Sequence, residues 1–319
     1  MHAQRLRDEL WTRLGVLLIL VTAGAASIPL LSAQKLGGEI QVQRPRIDLT
    51  AVTDLTTTLE GPLALEAAER IGPGSALLIT IPNEGTFGCT ANFVWTDGTT
   101  LYLGAAGHCF IPATTRATHG DGADYDASGV EVRVCVNNCD ANFNSMSLAG
   151  ELVLLGRVAY ARQTDATGAE QIGYDFGIVE IPDALAPQVR RTMPVFGGPA
   201  GLDTLEAGEF GCHFGHGLVV GETFLTKARV GVGGGSDESF WMGDFAAAFG
   251  DSGSAMVSCS PTLTGFRGRG AIGVLTHLGV RIPEPGGEIS TDHGVVFGTT
   301  VRRAIEMATE AGMVLSLAN

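Results

Sequence analysis

The chain has 319 residues, 45% of them hydrophobic and 45 of them glycine, with a formal net charge of −14 and a pI near 4.8. The apolar content excludes a disordered polymer, and the acidic balance excludes a nucleic-acid binder, which needs clustered Lys and Arg against phosphate. Glycine at about twice its usual share favours a loop-rich β protein over a helical bundle.

The N-terminus reads as a targeting signal. Arg5, Arg7 and Arg13 precede an apolar run over residues 14–21, followed by small residues at 23–26. A basic start, a short apolar core and an A-x-A-like site predict a secretory signal peptide within residues 1–33. Apolar character continues to Leu31, so a retained membrane anchor is the alternative. The expected location is secreted, or else anchored to the outer face of the membrane. Residues 34–72 are polar, Thr-rich and weakly patterned, as in a linker or pro-segment. Export gives six cysteines an oxidising compartment, hence disulfides. Cys135 and Cys139 flank three residues, as a bridge across a tight turn would require.

From Ser75 the pattern is that of strands. Residues 76–81 form a buried-type run ended by Pro82, and 89–95 form another before the turn signal Thr96-Asp97-Gly98. Further strands are expected over 101–106, 130–134, 151–161 and 176–181. Proline and glycine cluster over 182–199, which sets a boundary between a first β unit, about 73–185, and a second, about 195–298. The second unit holds expected strands at 217–220, 223–230, 254–258, 270–278 and 294–297. Short strands with turn signals about every 8–12 residues suggest barrels or a sandwich. A closing helix is expected over 299–317, from the spacing of Val301, Ile305, Met307, Met313 and Leu315.

Three short stretches carry chemistry. Gly250-Asp251-Ser252-Gly253-Ser254 places a serine between glycines, whose freedom allows a sharp turn with the N–H groups of Gly250 and Ser252 aimed at one spot. Read alone, Asp-Ser-Gly is also an ordinary turn. His108 ends a buried-type strand, where a lone histidine is most often a satisfied core residue. Asp175 opens the apolar run 176–179 and could merely cap a loop. Together they supply what a serine nucleophile needs: a base, and a carboxylate that orients it.

These stretches resemble the chymotrypsin-like serine proteases, in particular their bacterial secreted branch. Gly104-Ala105-Ala106-Gly107-His108-Cys109 resembles the family's T-A-A-H-C, Asp175-Phe176-Gly177-Ile178 its D-[I/F]-[A/G]-[L/I], and Gly250-Asp251-Ser252-Gly253-Ser254 its G-D-S-G-G. The resemblance spans about residues 75–317. It implies an all-β fold of two six-stranded antiparallel β-barrels with a C-terminal helix, the domain being residues 73–319. It implies a serine endopeptidase with His108 as general base, Asp175 as its orienting partner, Ser252 as nucleophile, and Gly250 and Ser252 as the oxyanion hole. It also implies the bridges Cys89–Cys109 and Cys212–Cys259, leaving Cys135–Cys139.

Departures from the family pattern matter. Gly107 stands where alanine is usual, read here as a change in loop flexibility. No Ile-Val-Gly-Gly stretch precedes Ser75, so Asp251 needs another partner, and an arginine is the natural kind. The resemblance puts the base of the specificity pocket near Ala246 and its wall at Thr276 and His277. With no acidic group at 246–248, the residue before the cleaved bond is expected to be apolar, or acidic if His277 is cationic, and not basic. No cofactor and no metal are expected. Cys212 and His213 with His216 could bind metal only if Cys212 were unpaired, and Asp121, Asp124 and Asp126 read as a solvated acidic loop. The expected partners are protein or peptide substrates, not nucleic acid, and the chain is expected as a monomer. A catalytically silent binding module on the same fold is the alternative. An α/β-hydrolase is excluded, because that fold wants G-x-S-x-G and the order Ser, Asp, His.

Overall fold

The computed structural model describes residues 34–36, 39–41, 70–112, 127, 129–142, 147–163, 172–217, 227–278 and 294–318. The signal-peptide or anchor segment, most of 34–72, the strand expected at 217–220 and the loop with Asp121, Asp124 and Asp126 lie largely outside these residues. Among the described residues no helix is long and apolar enough to cross a membrane. The chain divides into two units, Met1–Leu49 and Thr50–Asn319. In the first, β1 (Gln34–Leu36) and β2 (Glu39–Gln41) pair as an antiparallel hairpin.

The second unit is built of strands because apolar runs of strand length alternate with Gly, Pro and Asn turns. Its first half contains β3 (Ala76–Ile81), β4 (Gly85–Thr90), β5 (Val94–Thr96), β6 (Leu101–Ala105), β7 (Glu131–Asn142), β8 (Ser147–Leu154), β9 (Val158–Arg162) and β10 (Phe176–Ile181). One sheet runs β4-β3-β7-β8, and a second contains β5-β6-β10-β9. Three residues separate β4 from β5, at 91–93, and three separate β8 from β9, at 155–157. Each pair acts as one bent strand that changes sheet at a corner. Six strands thus form a ring through two corners: β3, β7, β8–β9, β10, β6, β5–β4 and back to β3.

The second half contains β11 (Phe210–Phe214), β12 (Ala228–Ser236), β13 (Phe240–Phe245), β14 (Ala255–Thr262), β15 (Gly265–Leu278) and β16 (Gly294–Thr300), closed into a barrel in the order β11-β12-β13-β16-β15-β14. β13 shows the logic of closure: Trp241, Gly243 and Phe245 are buried while Phe240, Met242 and Asp244 are only partly so. One core cluster reaches across both halves, with Trp95, Phe110 and Phe176 alongside Val257 and Val274, and a smaller one fills the second barrel around Trp241, Phe245 and Leu275. Truncating one of these rings to alanine costs about 3–5 kcal/mol.

The helix is shorter than the spacing of apolar residues implied. α1 (Val301–Glu310) is capped by Thr300, whose side chain accepts from the Arg303 N–H. It stops because Gly312 takes a φ of 82°, and β17 (Ser316–Leu317) then pairs with β5. Leu315 is buried by this return of the chain and not by a helical face.

Candidate active site

His108 sits on a 3-10 turn, Gly107–Cys109, directly after β6. β10 pairs antiparallel with β6 so that Gly177 faces Ala105. Continuing that register brings Asp175 opposite the start of the turn. The carboxylate accepts from the His108 backbone N–H at 2.9 Å, and its other oxygen lies 2.6 Å from His108 Nδ1. The Asp175 side chain is 1% exposed and that of His108 18%, so the imidazole alone keeps an open edge. Burial by itself would raise the Asp175 pKa. The opposing pull of His108, through charge and hydrogen bonds, is stronger in sum and holds it below the usual range, so the group is an anion. Gly107 serves packing and not flexibility: a Cβ there would lie 2.1 Å from the Arg162 carbonyl oxygen and 2.8 Å from that of Phe176. The Cys89–Cys109 bridge ties the turn to β4. Both sulfurs lie near His108, but as a disulfide they offer no thiolate for a metal.

Ser252 lies in the loop between β13 and β14. Gly250 and Gly253 have φ of 103° and 93°, a region that only glycine enters at little cost. The loop is fastened to the first barrel beside the His108 turn. Thr90 donates its N–H to the Ser252 carbonyl at 2.9 Å and its hydroxyl to the Gly250 carbonyl at 2.8 Å. The Ser252 carbonyl oxygen is 3.8 Å from Cys109 Sγ. A Cβ on Gly253 would lie 2.9 Å from the Ala106 nitrogen, which measures how closely the loop approaches the strand that leads to His108. Among the described residues, neither the Gly250 nor the Ser252 amide N–H donates to an acceptor.

Asp251 has the cationic partner that local sequence could not name. Arg229, on β12, places Nη1 2.5 Å from Asp251 Oδ2, and both side chains are fully buried. The carboxylate also accepts from the N–H groups of Gly217, at 2.7 Å, and Ala248, at 2.8 Å.

Of the residues expected to line a specificity pocket, Ala246 is buried, as is its neighbour Ala247, and Thr276 is 7% exposed with its hydroxyl 2.7 Å from His277 Nδ1. Burial pushes the His277 pKa down; Asp175 opposes this and His108 adds to it, so His277 stands within electrostatic reach of that pair. The remaining bridges are Cys135–Cys139 and Cys212–Cys259. The latter removes the thiolate that a metal reading of Cys212 would need.

A second serine–histidine pair was not read from the sequence. Ser254 Oγ lies 3.4 Å from His213 Nδ1, and His213 Nε2 lies 3.0 Å from the Ala246 carbonyl, so Nε2 carries the proton. Both residues are fully buried. Burial first, then the Arg229 charge, lowers the His213 pKa from 6.5 to about 4, against a smaller opposing pull from Asp251. Between those two values the unfolded chain binds a proton that the folded chain refuses, so stability rises with pH across the window and is lost on acidification. The expected loss from this group is about 1.4 kcal/mol per pH unit. Urea unfolding midpoints from pH 7 to 4 check it: His213→Gln should flatten the curve, and an unchanged curve overturns the assignment.

No family model matches the chain, and no curated protein matches it. Solved structures similar to it include bacterial serine proteases, at low identity. Thermobifida fusca protease A is 18% identical, with 78% of this chain and 99% of that chain covered and a TM-score of 0.41. The thermostable serine protease AL20 from an extremophilic microorganism is 13% identical, covering 77% and 98%, at 0.47. A glutamic-acid-specific serine protease is 17% identical, covering 78% and 100%, at 0.40.

Proposed function

We propose that the protein is a secreted serine endopeptidase acting through His108, Asp175 and Ser252. One observation carries this reading: a buried, ionised Asp175 2.6 Å from Nδ1 of a partly exposed His108, with the Ser252 loop bonded to the strand beside it. Asp175 accepts a hydrogen bond from the Nδ1–H, which fixes the proton there and leaves the Nε2 lone pair as the base. Nε2 takes the Ser252 hydroxyl proton while Oγ attacks the peptide carbonyl carbon. The carbonyl oxygen becomes an oxyanion for which the N–H groups of Gly250 and Ser252 are the available donors. Collapse breaks the C–N bond, and the leaving amine takes the proton from His108. Water, deprotonated by the same nitrogen, then releases the acyl group and restores the serine.

The pocket residues favour an apolar side chain before the cleaved bond. Ala246 and Ala247 bring no charge, and a His277 held neutral by burial lacks the cation that would attract a carboxylate. The three disulfides support export, because such bridges persist in oxidising compartments. The test is to label the purified protein with a fluorophosphonate, map the adduct, and profile cleavage of a peptide library. An adduct on Ser252 with cleavage after apolar residues is expected. Absence of both labelling and cleavage favours the silent binding module, and cleavage after Lys or Arg overturns the pocket reading.

A further inference from the structure

Asp175 is oriented mainly through its backbone. Among the described residues its carboxylate accepts hydrogen bonds from His108 alone. The main chain around it is gripped from the other barrel: the Asp175 N–H donates to Thr299 Oγ1 at 3.1 Å, and the Thr299 hydroxyl donates to the Asp175 carbonyl at 2.9 Å. Thr299 precedes the residue that caps α1, so the helix and Asp175 share an anchor.

The residue before Asp175 is held as well. The Tyr174 ring lies under two guanidiniums, that of Arg303 on α1 at 4.5 Å and that of Arg162 on β9 at 5.7 Å. Two cations against one ring would repel. Glu310 offsets this by bonding both, Arg162 at 2.6 Å and Arg303 at 3.0 Å, and Glu306 bonds Arg303 at 3.1 Å. The Arg303 and Arg162 side chains are only 12% and 17% exposed, a setting in which cation–π contacts exceed their surface value. The charged and titratable groups around this segment are His108 and His277 on the Asp175 side, and Arg162, Arg303, Glu306, Glu310 and Tyr160 on the Tyr174 side.

We propose that Arg303, through its stack on Tyr174, is a positioning residue that fixes Asp175 against His108, so that the C-terminal helix tunes the base of the active site. The inference rests on the triad reading above. The alternative is a latch that only holds α1 down, and the two differ in what they do to His108. A loosened Asp175 stabilises the imidazolium less, which moves the acid limb of kcat/KM to lower pH. A latch lowers stability and leaves the limb in place.

The experiment compares Arg303→Gln and Tyr174→Leu with the conservative Arg303→Lys and Tyr174→Phe, all in the full chain, with rates normalised to sites titrated by fluorophosphonate. A displacement of the orienting group costs on the order of tenfold in kcat, with KM held within about twofold. The acid limb should move down in Arg303→Gln and Tyr174→Leu and return in Arg303→Lys and Tyr174→Phe. The His108 Nδ1 proton, observed by NMR at low field and assigned by its loss in His108→Ala, should broaden or shift in the first pair only. Unchanged kcat, acid limb and Nδ1 resonance in Arg303→Gln, whatever its melting temperature, overturn the proposal. Failure of the wild type to label or turn over overturns the triad reading instead, and the Nδ1 resonance then still scores Arg303.

Discussion

Replacing Ser252 by alanine is expected to abolish peptide hydrolysis and fluorophosphonate labelling, whereas replacing Ser254 by alanine is expected to leave both nearly intact. The two serines stand close together in one loop, and physical chemistry separates them. Ser254 and His213 are fully buried, so no substrate carbonyl reaches that hydroxyl. His213 is held neutral far into the acid range, spends one nitrogen on a backbone carbonyl, and among the described residues has no carboxylate as a hydrogen-bond partner. A base without an orienting anion gains nothing as its imidazolium forms. His108 has that anion at 2.6 Å and keeps an open edge. Loss of a serine nucleophile costs on the order of 10⁶-fold in kcat, and loss of the orienting carboxylate, as in Asp175→Asn, about 10⁴-fold. Ser254→Ala removes one long hydrogen bond and should cost about 1 kcal/mol of stability at most. Initial rates with a peptide ester, and the mass shift on labelling, read all three. A Ser254→Ala variant that is silent while correctly folded would move the nucleophile to the wrong pair.

The parts of this site that depend on local sequence were legible. Strands 76–81 and 176–181 were bounded correctly because Pro82 and Pro182 cut apolar runs whose length suits a strand. His108, Asp175 and Ser252 were singled out because each stands in a distinctive short context, and the structure places His108 against Asp175. What was missed depends on distant contacts or on stop signals given too little weight. β11 and β13 went unread although Trp241, Gly243 and Phe245 alternate cleanly, because Gly211 and Cys212 broke the apolar run in one and Asp244 in the other. The helix was drawn too long because Met313 and Leu315 continued its spacing, while Gly312, the residue that ends it, was passed over. Gly107 read as flexibility because the backbone of Arg162, which excludes a side chain there, is far away in sequence. The Tyr174 stack draws on three separate segments, and no local pattern announces it. Arg229 carries no local mark either, since only closure of the second barrel brings it to Asp251.

That buried pair should be among the most expensive contacts to break. Asp251 carries the Ser252 loop from inside: its carboxylate accepts from Gly217 and Ala248 and meets Arg229 at 2.5 Å, all without solvent. The cradle is tight, since a Cβ on Gly215 or Gly217 would lie 2.1 Å from a carboxylate oxygen. Removing one partner leaves an uncompensated charge in the interior, at a cost of about 3–5 kcal/mol. Arg229→Leu should therefore unfold at much lower urea than the wild type, and the fraction of molecules that a fluorophosphonate can titrate should fall, because Gly250 and Ser252 flank the residue left unpaired. Asp251→Asn keeps the shape but can accept from only one of the two amides, which bond different carboxylate oxygens, and it leaves Arg229 charged and buried, so it should be nearly as damaging. The double variant Arg229→Leu with Asp251→Asn removes both charges, and should recover more than about 1 kcal/mol over the sum of the single losses if the pair is the source of the effect. Additive losses in that cycle would mean that shape and not charge holds the loop, and the disulfide Cys212–Cys259 on the adjoining strands would then be its main restraint.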